Sequence, residues 1–157
     1  MSENVKKSRS VWKAGAAFEH QAEQGVTYFT DALLGGDPPR GLLGPTPMDA
    51  LLGALPGCAG VDMVSILKRM RFEPRSLEIM VTAERASAHP RIFTSLHLDI
   101  KLATEPVHTA KVLRAVRLAT GKYCSVSAML AHSAEITYTL HYAGQEHAGR
   151  VDGHRGG

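Results

Sequence analysis

Two cysteines dominate the reactive chemistry available to this chain. Cys58 lies in GPTPMDALLGALPGCAGVDMVSILKRMR, residues 44–71, and Cys124 lies in KYCSVSAML. A thiolate is a strong nucleophile, and two thiols that meet can cycle with a disulfide. At helical spacing Cys58 shares a face with Asp62, Ser65 and Arg69. A carboxylate alone raises a thiol pKa, so a helix N-terminus or an arginine has to outweigh it if Cys58 is to ionise. Pro56-Gly57 interrupts the apolar helical pattern and predicts a kink or restart, which puts Cys58 near a fresh helical N-terminus. Cys124 immediately precedes a short helical stretch, 126–131, whose free amides favour a thiolate. For each cysteine a second reading stays open: a buried Cys also serves as a small hydrophobe.

The elements that must position these thiols are marked by periodicity. Val26, Tyr28 and Thr30 alternate as a strand, with 22–25 as the preceding turn of an N-terminal meander, and residues 1–10 read as polar and frayed. Residues 33–47 are crowded with Gly and Pro and form a loop. Thr46-Pro47 is a helix entry, with Thr as cap, Pro at the first position and Asp49 complementing the macrodipole. From Met48 the pattern is helical and apolar nearly all round, which predicts a buried central helix. Residues 77–84 and 96–103 alternate as two strands of a hairpin. A helix opens at Glu105-Pro106, with Val112, Leu113, Val116 and Ala119 as its apolar stripe. Residues 136–142 alternate as the last strand, and 143–157 read as a flexible tail after a single domain, 1–142. The class is α+β.

Composition narrows the function. The 157 residues are 44% hydrophobic and 21% charged, with a net charge of +3. The basic residues are scattered and aromatics are 6%, so no basic stripe with stacking aromatics suggests nucleic acid. No run of about 18 apolar residues suggests a membrane span, and the N-terminus lacks the apolar core of a signal peptide. Two cysteines in such a chain are expected to be reduced cytoplasmic thiols. There is no CxxC, no Cys/His zinc spacing, no P-loop, no GxGxxG after a strand and no GxSxG, and the eight histidines are dispersed. No metal and no bound cofactor are expected.

The combination GPTPMDALLGALPGC-x-x-x-D-x-VSIL with KYCSVSAML resembles the OsmC/Ohr family of osmotically inducible and organic-hydroperoxide-resistance proteins, in its OsmC-like branch. The match runs from about Pro45 to Tyr142 and extends weakly into the N-terminal strands. The resemblance implies an N-terminal antiparallel sheet, a long central helix and a second β/α portion. It also implies an intertwined homodimer with active sites at the subunit interface. Cys58 maps to the peroxidatic residue and Cys124 to the resolving one. A family glutamate early in the helix maps to Asp49, one methylene shorter. The activating arginine of the N-terminal loop maps best to Arg40, and less well to Arg9. Pro56 departs from the small residue usual before the cysteine. The implied activity is reduction of organic hydroperoxides, with an external dithiol, such as a lipoyl-type protein, as reductant. An apolar pocket including Phe18, Phe29, Met63 and Met129 would favour organic substrates. The alternatives are a stress-response or ligand-binding protein with weak or no peroxidase activity, and a thiol pair that senses or transfers without consuming peroxide.

Overall fold

A computed structural model of the chain describes residues 4–38, 40–105 and 108–152. It divides into two compact units, Met1–Leu51 and Leu52–Gly157.

The first unit is a three-stranded antiparallel meander: β1 (Ser8–Ala14), β2 (Ala17–Ala22) and β3 (Thr27–Thr30). β1 begins inside the stretch expected to fray. Almost every β1 position is exposed, so no apolar alternation marks the strand. Trp12 and Phe18 fit no single period because they sit opposite each other on two strands of a hairpin. The hairpin closes at Gly15, whose φ of 54° suits glycine, and the Trp12 indole donates to the Gly15 carbonyl at 2.9 Å. The turn at 22–25 forms as expected, with Gly25 N–H bonded to the Ala22 carbonyl at 2.9 Å.

The Gly/Pro loop then leads to α1 (Pro47–Arg69). Thr46 caps it: the Asp49 amide donates to Thr46 Oγ1 at 3.2 Å, and that hydroxyl donates to the Asp49 carboxylate at 2.6 Å. The helix runs unbroken through Pro56, so the predicted restart does not occur. Proline there removes one backbone bond at a cost of about 3 kcal/mol. Leu55, Met63 and Leu67 are fully buried on a stripe with Ala59, at every fourth residue. Each large side chain contributes about 1.5–3 kcal/mol, so burial on both sides of Pro56 outweighs the lost bond. The helix is not buried all round as the pattern suggested: Val61 is 70% exposed. With an 18-residue window of mean hydropathy 1.7, α1 is long and apolar enough to cross a membrane by length and composition, a test that core helices also pass.

The second unit carries β4 (Pro74–Arg85), β5 (Phe93–Thr104), α2 (Thr109–Leu118), a single π turn (Ala119–Tyr123), α3 (Ser125–Leu130), β6 (Glu135–Tyr142) and β7 (Gln145–Val151). The sheet order is β4-β5-β6-β7. β4 and β5 form the expected antiparallel hairpin, whereas β5 and β6 pair in parallel. A parallel pair needs a long crossover, which α2 and α3 supply. Leu96, Leu98, Ile100 and Leu102 of β5, Ile136, Tyr138, Leu140 and Tyr142 of β6, and Val112, Ala115 and Val116 of α2 are buried core. The predicted helix entry at Pro106 lies outside the described residues.

β6 is not the last strand, and 143–152 is not a flexible tail. Ala143 and Gly144 both take positive φ in a two-residue turn, and β7 pairs antiparallel with β6. An edge strand needs little apolar patterning, which hid it. Gly149 sits opposite Tyr138, and a Cβ there would lie 2.1 Å from the tyrosine ring. Gly149→Val is therefore expected to destabilise the chain by about 1–3 kcal/mol. Urea melts read this directly, and Tyr138→Leu in the same chain should recover part of the loss.

Candidate active site

Cys58 sits in the interior of α1, and Asp62 lies one turn later on the same face. The neighbouring backbone amides are used in the helical ladder, so no free amides surround Cys58 as a restart would have provided. Cys124 caps α3 in an extended conformation, with φ −68° and ψ 104°. The π turn before it places the sulfur: the Cys124 amide reaches back to the Ala119 carbonyl at 3.0 Å, and the Thr120 hydroxyl donates to the Val116 carbonyl at 2.9 Å. Such a turn inserts a residue into the helix and re-aims the chain beyond it.

The fold brings the two thiols together. Cys58 Sγ, Cys124 Sγ and a carboxylate oxygen of Asp62 all lie within 4.8 Å of one another. Both cysteines are free thiols, with Cys58 half-buried and Cys124 buried. Burial pushes the Cys124 thiol pKa up, hydrogen bonding from Ser127 partly offsets this, and the neighbouring Cys58 raises it further. The Ser127 amide donates to Cys124 Sγ at 3.3 Å. The Ser127 hydroxyl is buried without a partner in hydrogen-bond geometry. Cys124 is therefore held as a neutral thiol at neutral pH.

Arg40 and Asp49 lie in the first unit and are otherwise engaged. Arg40 grips Asp31 with both ends of its guanidinium, at 2.6 and 2.9 Å, and also donates to the Gly41 and Ala32 carbonyls. Asp49 is exposed and serves the α1 cap. The carboxylate that holds Arg40 is Asp31. Asp31 is fully buried and also accepts from the Ala32 and Leu43 amides, at 2.7 and 3.1 Å. Sequence reasoning missed Asp31 because nothing in spacing links the end of a strand to an arginine across a Gly/Pro loop. Asp62 was legible as the i+4 neighbour of Cys58, though not as part of a group with Cys124. Of the four residues suggested for an apolar pocket, Met63 is core, and Phe18 lines a groove of about 450 Å³ in the first unit.

The hydrogen bond from Arg40 is the largest influence on Asp31 and, with the backbone amides and against the cost of burial, holds its carboxyl well below the usual carboxylate range. The unfolded chain binds this proton near the ordinary value of 3.8, before the folded chain does. Asp31 thus contributes stability that is fully present above about pH 4 and lost as pH falls below it. The expected result is a gap in urea midpoint between wild type and Asp31→Asn that is constant from pH 7 to about pH 5 and shrinks toward pH 2. A gap that widened in acid would contradict this account.

The comparisons with known proteins agree with the fold and the motif. The profile of OsmC-like proteins matches residues 36–139. Protein YhfA of Escherichia coli K12 is 33% identical over 132 residues, covering 84% of this chain and 94% of its own length. A hypothetical protein from Aquifex aeolicus VF5 superposes with a TM-score of 0.72 at 27% identity, covering 88% of this chain and 97% of its own. The organic hydroperoxide resistance protein OhrB of Bacillus subtilis shares the fold, with a TM-score of 0.59 at 16% identity over 87% of this chain and 98% of its own. The chain belongs to the OsmC-like family. Membership supports a stress-response or redox-related role.

Proposed function

We propose that the chain is a thiol-dependent peroxidase that reduces organic hydroperoxides. The observation that carries this reading is the approach of two free thiols, Cys58 and Cys124, to within 4.8 Å in a family that includes peroxide-resistance proteins. Cys58, half-buried and reachable, attacks the outer peroxide oxygen as thiolate. The O–O bond breaks, the alkoxide takes a proton and leaves as alcohol, and Cys58 becomes a sulfenic acid. The Cys124 sulfur then displaces hydroxide, which leaves as water with the thiol's proton, and the disulfide forms. An external dithiol of the lipoyl type restores both thiols by exchange.

Arg40, carried over by resemblance, is proposed to support the thiolate, with Asp31 as its anchor. The proposal includes a homodimer in the cytoplasm and no bound cofactor in the cycle. A second reading, an OsmC-like stress-response or ligand-binding protein with weak or no peroxidase activity, draws on two observations. Arg40 is committed to Asp31, and a carboxylate lies beside the two sulfurs.

Intact mass after one equivalent of cumene hydroperoxide separates the readings. The peroxidase loses two hydrogens and regains them on adding dihydrolipoamide. A chain that stays fully reduced at that dose is the second protein.

A further inference from the structure

The two sulfurs and the carboxylate also form a metal-ligand set. We propose that in the reduced chain Cys58 Sγ, Cys124 Sγ and Asp62 together bind one thiophilic divalent cation of the zinc class, and that formation of the disulfide releases it. The proposal needs only the reduced geometry and does not depend on peroxide turnover.

All three candidate ligand atoms lie within 4.8 Å of one another. Zn–S bonds of about 2.3 Å and Zn–O bonds of about 2.0–2.2 Å, arranged tetrahedrally, separate ligand atoms by about 3.5–3.8 Å. The three groups are thus at most about 1.3 Å per pair from a closed site. Two thiolates and one carboxylate suit zinc or cadmium and do not suit calcium or magnesium, which prefer all-oxygen shells. Three protein ligands leave the fourth position open to water, and half-buried Cys58 and Asp62 give a way in.

The surroundings supply a second, independent observation. Ser127, 1% exposed, has a hydroxyl that meets no strict hydrogen-bond geometry yet bears on the Cys124 thiol and lowers its pKa, on the residue whose amide already donates to Cys124 Sγ. A buried hydroxyl that favours the ionised form of a candidate thiolate ligand is the kind of outer-shell group that stabilises a metal-bound sulfur. The spacing of Cys58 and Cys124 in sequence gave no hint of a zinc motif, because the π turn and α3 cap, not a short loop, bring the second sulfur in.

The charges and electrons balance. Binding the cation displaces one proton from each thiol, and two thiolates, one carboxylate and a 2+ ion leave a net charge of −1. Binding therefore tightens as pH rises. When a hydroperoxide oxidises the bound pair, two electrons pass from the sulfurs to the O–O bond and the S–S bond forms. Two protons are taken up, and alcohol, water and the free cation leave. Cation and peroxide thus compete for the same sulfurs.

The test titrates metal-free, reduced chain with Zn²⁺ against a chromophoric chelator, and separately with Cd²⁺ while following the thiolate-to-cadmium ultraviolet band. The expected result is one Zn²⁺ per chain. Binding should be about tenfold or more weaker in Asp62→Asn and about a hundredfold or more weaker in Cys58→Ser and Cys124→Ser. A chain oxidised beforehand with diamide should bind none at this site. If a cysteine variant fails to fold by circular dichroism, the cadmium band of the wild type and its loss on alkylation decide instead. Wild-type affinity in Asp62→Asn, unchanged binding after diamide, or no cadmium band would each overturn the proposal.

Discussion

Cys58→Ser is expected to lower hydroperoxide turnover by about three orders of magnitude or more, the scale on which removing a nucleophile acts. A serine hydroxyl at that position neither ionises near neutral pH nor accepts an oxygen from a peroxide. Cys124→Ser should behave differently. Its first turnover remains, because half-buried Cys58 is the accessible thiol, but no disulfide forms and Cys58 gains one or two oxygens by mass. The order of alkylation in the reduced wild type tests the same asymmetry: iodoacetamide should modify Cys58 well before Cys124, which is 2% exposed and raised in pKa by burial. Both variants should keep the fold, since each change is one atom within an ordered helix or cap. Consumption of cumene hydroperoxide with dihydrolipoamide as reductant is the readout. Turnover by Cys58→Ser at more than a few per cent of wild type would remove Cys58 from the peroxidatic role.

What was legible in the sequence was whatever periodicity or capping encodes locally. The Thr46-Pro47 entry, the alternation of 77–84, 96–103 and 136–142, and the cap position of Cys124 are all properties of short windows, and the structure has them. Three features were not legible, for different physical reasons. The unbroken path of α1 through Pro56 depends on burial of Leu55, Met63 and Leu67, which a local breaker rule does not weigh. β1 and β7 are strands with few buried positions, so their backbone pairing leaves almost no hydrophobic trace. The Arg40–Asp31 pair crosses a loop whose conformation is set by Gly and Pro, and no spacing rule reaches over it. The site itself was half legible. Two cysteines each beside a helix were visible, and so was Asp62 at i+4. Their convergence with Cys124 required the π turn at Ala119–Tyr123, which no residue pattern announces.

Val61→Asp is expected to convert a dimeric chain into a monomer, weakening self-association by about two orders of magnitude or more. The buried stripe of α1 occupies one face, at Leu55, Ala59, Met63 and Leu67. On another face Pro56, Gly57, Gly60, Val61 and Val64, with Leu77 and Ile79 of β4, line an open and mainly apolar groove of about 740 Å³, to which Ser65 and Lys68 also contribute. Contiguous exposed apolar surface of this kind marks an interaction site far more often than it marks free surface. Gly57 carries no side chain and has open space where a Cβ would sit, so a helix backbone can approach closely there. The proposed homodimer, with central helices back to back, covers such a face. Covering it removes apolar area from water at roughly 25 cal/mol per Å², whereas an aspartate at Val61 would have to be desolvated in a groove where, among the described residues, Lys68 is the one charged lining residue, at a cost of several kcal/mol. Met80→Glu is the matched control, because Met80 is 58% exposed and points to the opposite face of β4 from Leu77 and Ile79. Sedimentation over a hundredfold range of concentration should give a dimer for wild type and Met80→Glu and a monomer for Val61→Asp. A wild type that remains monomeric at the highest concentration, or a Val61→Asp chain that remains dimeric, would exclude this face as the interface. If the monomeric variant also lost peroxide turnover while keeping its fold, the site would be shown to need both subunits.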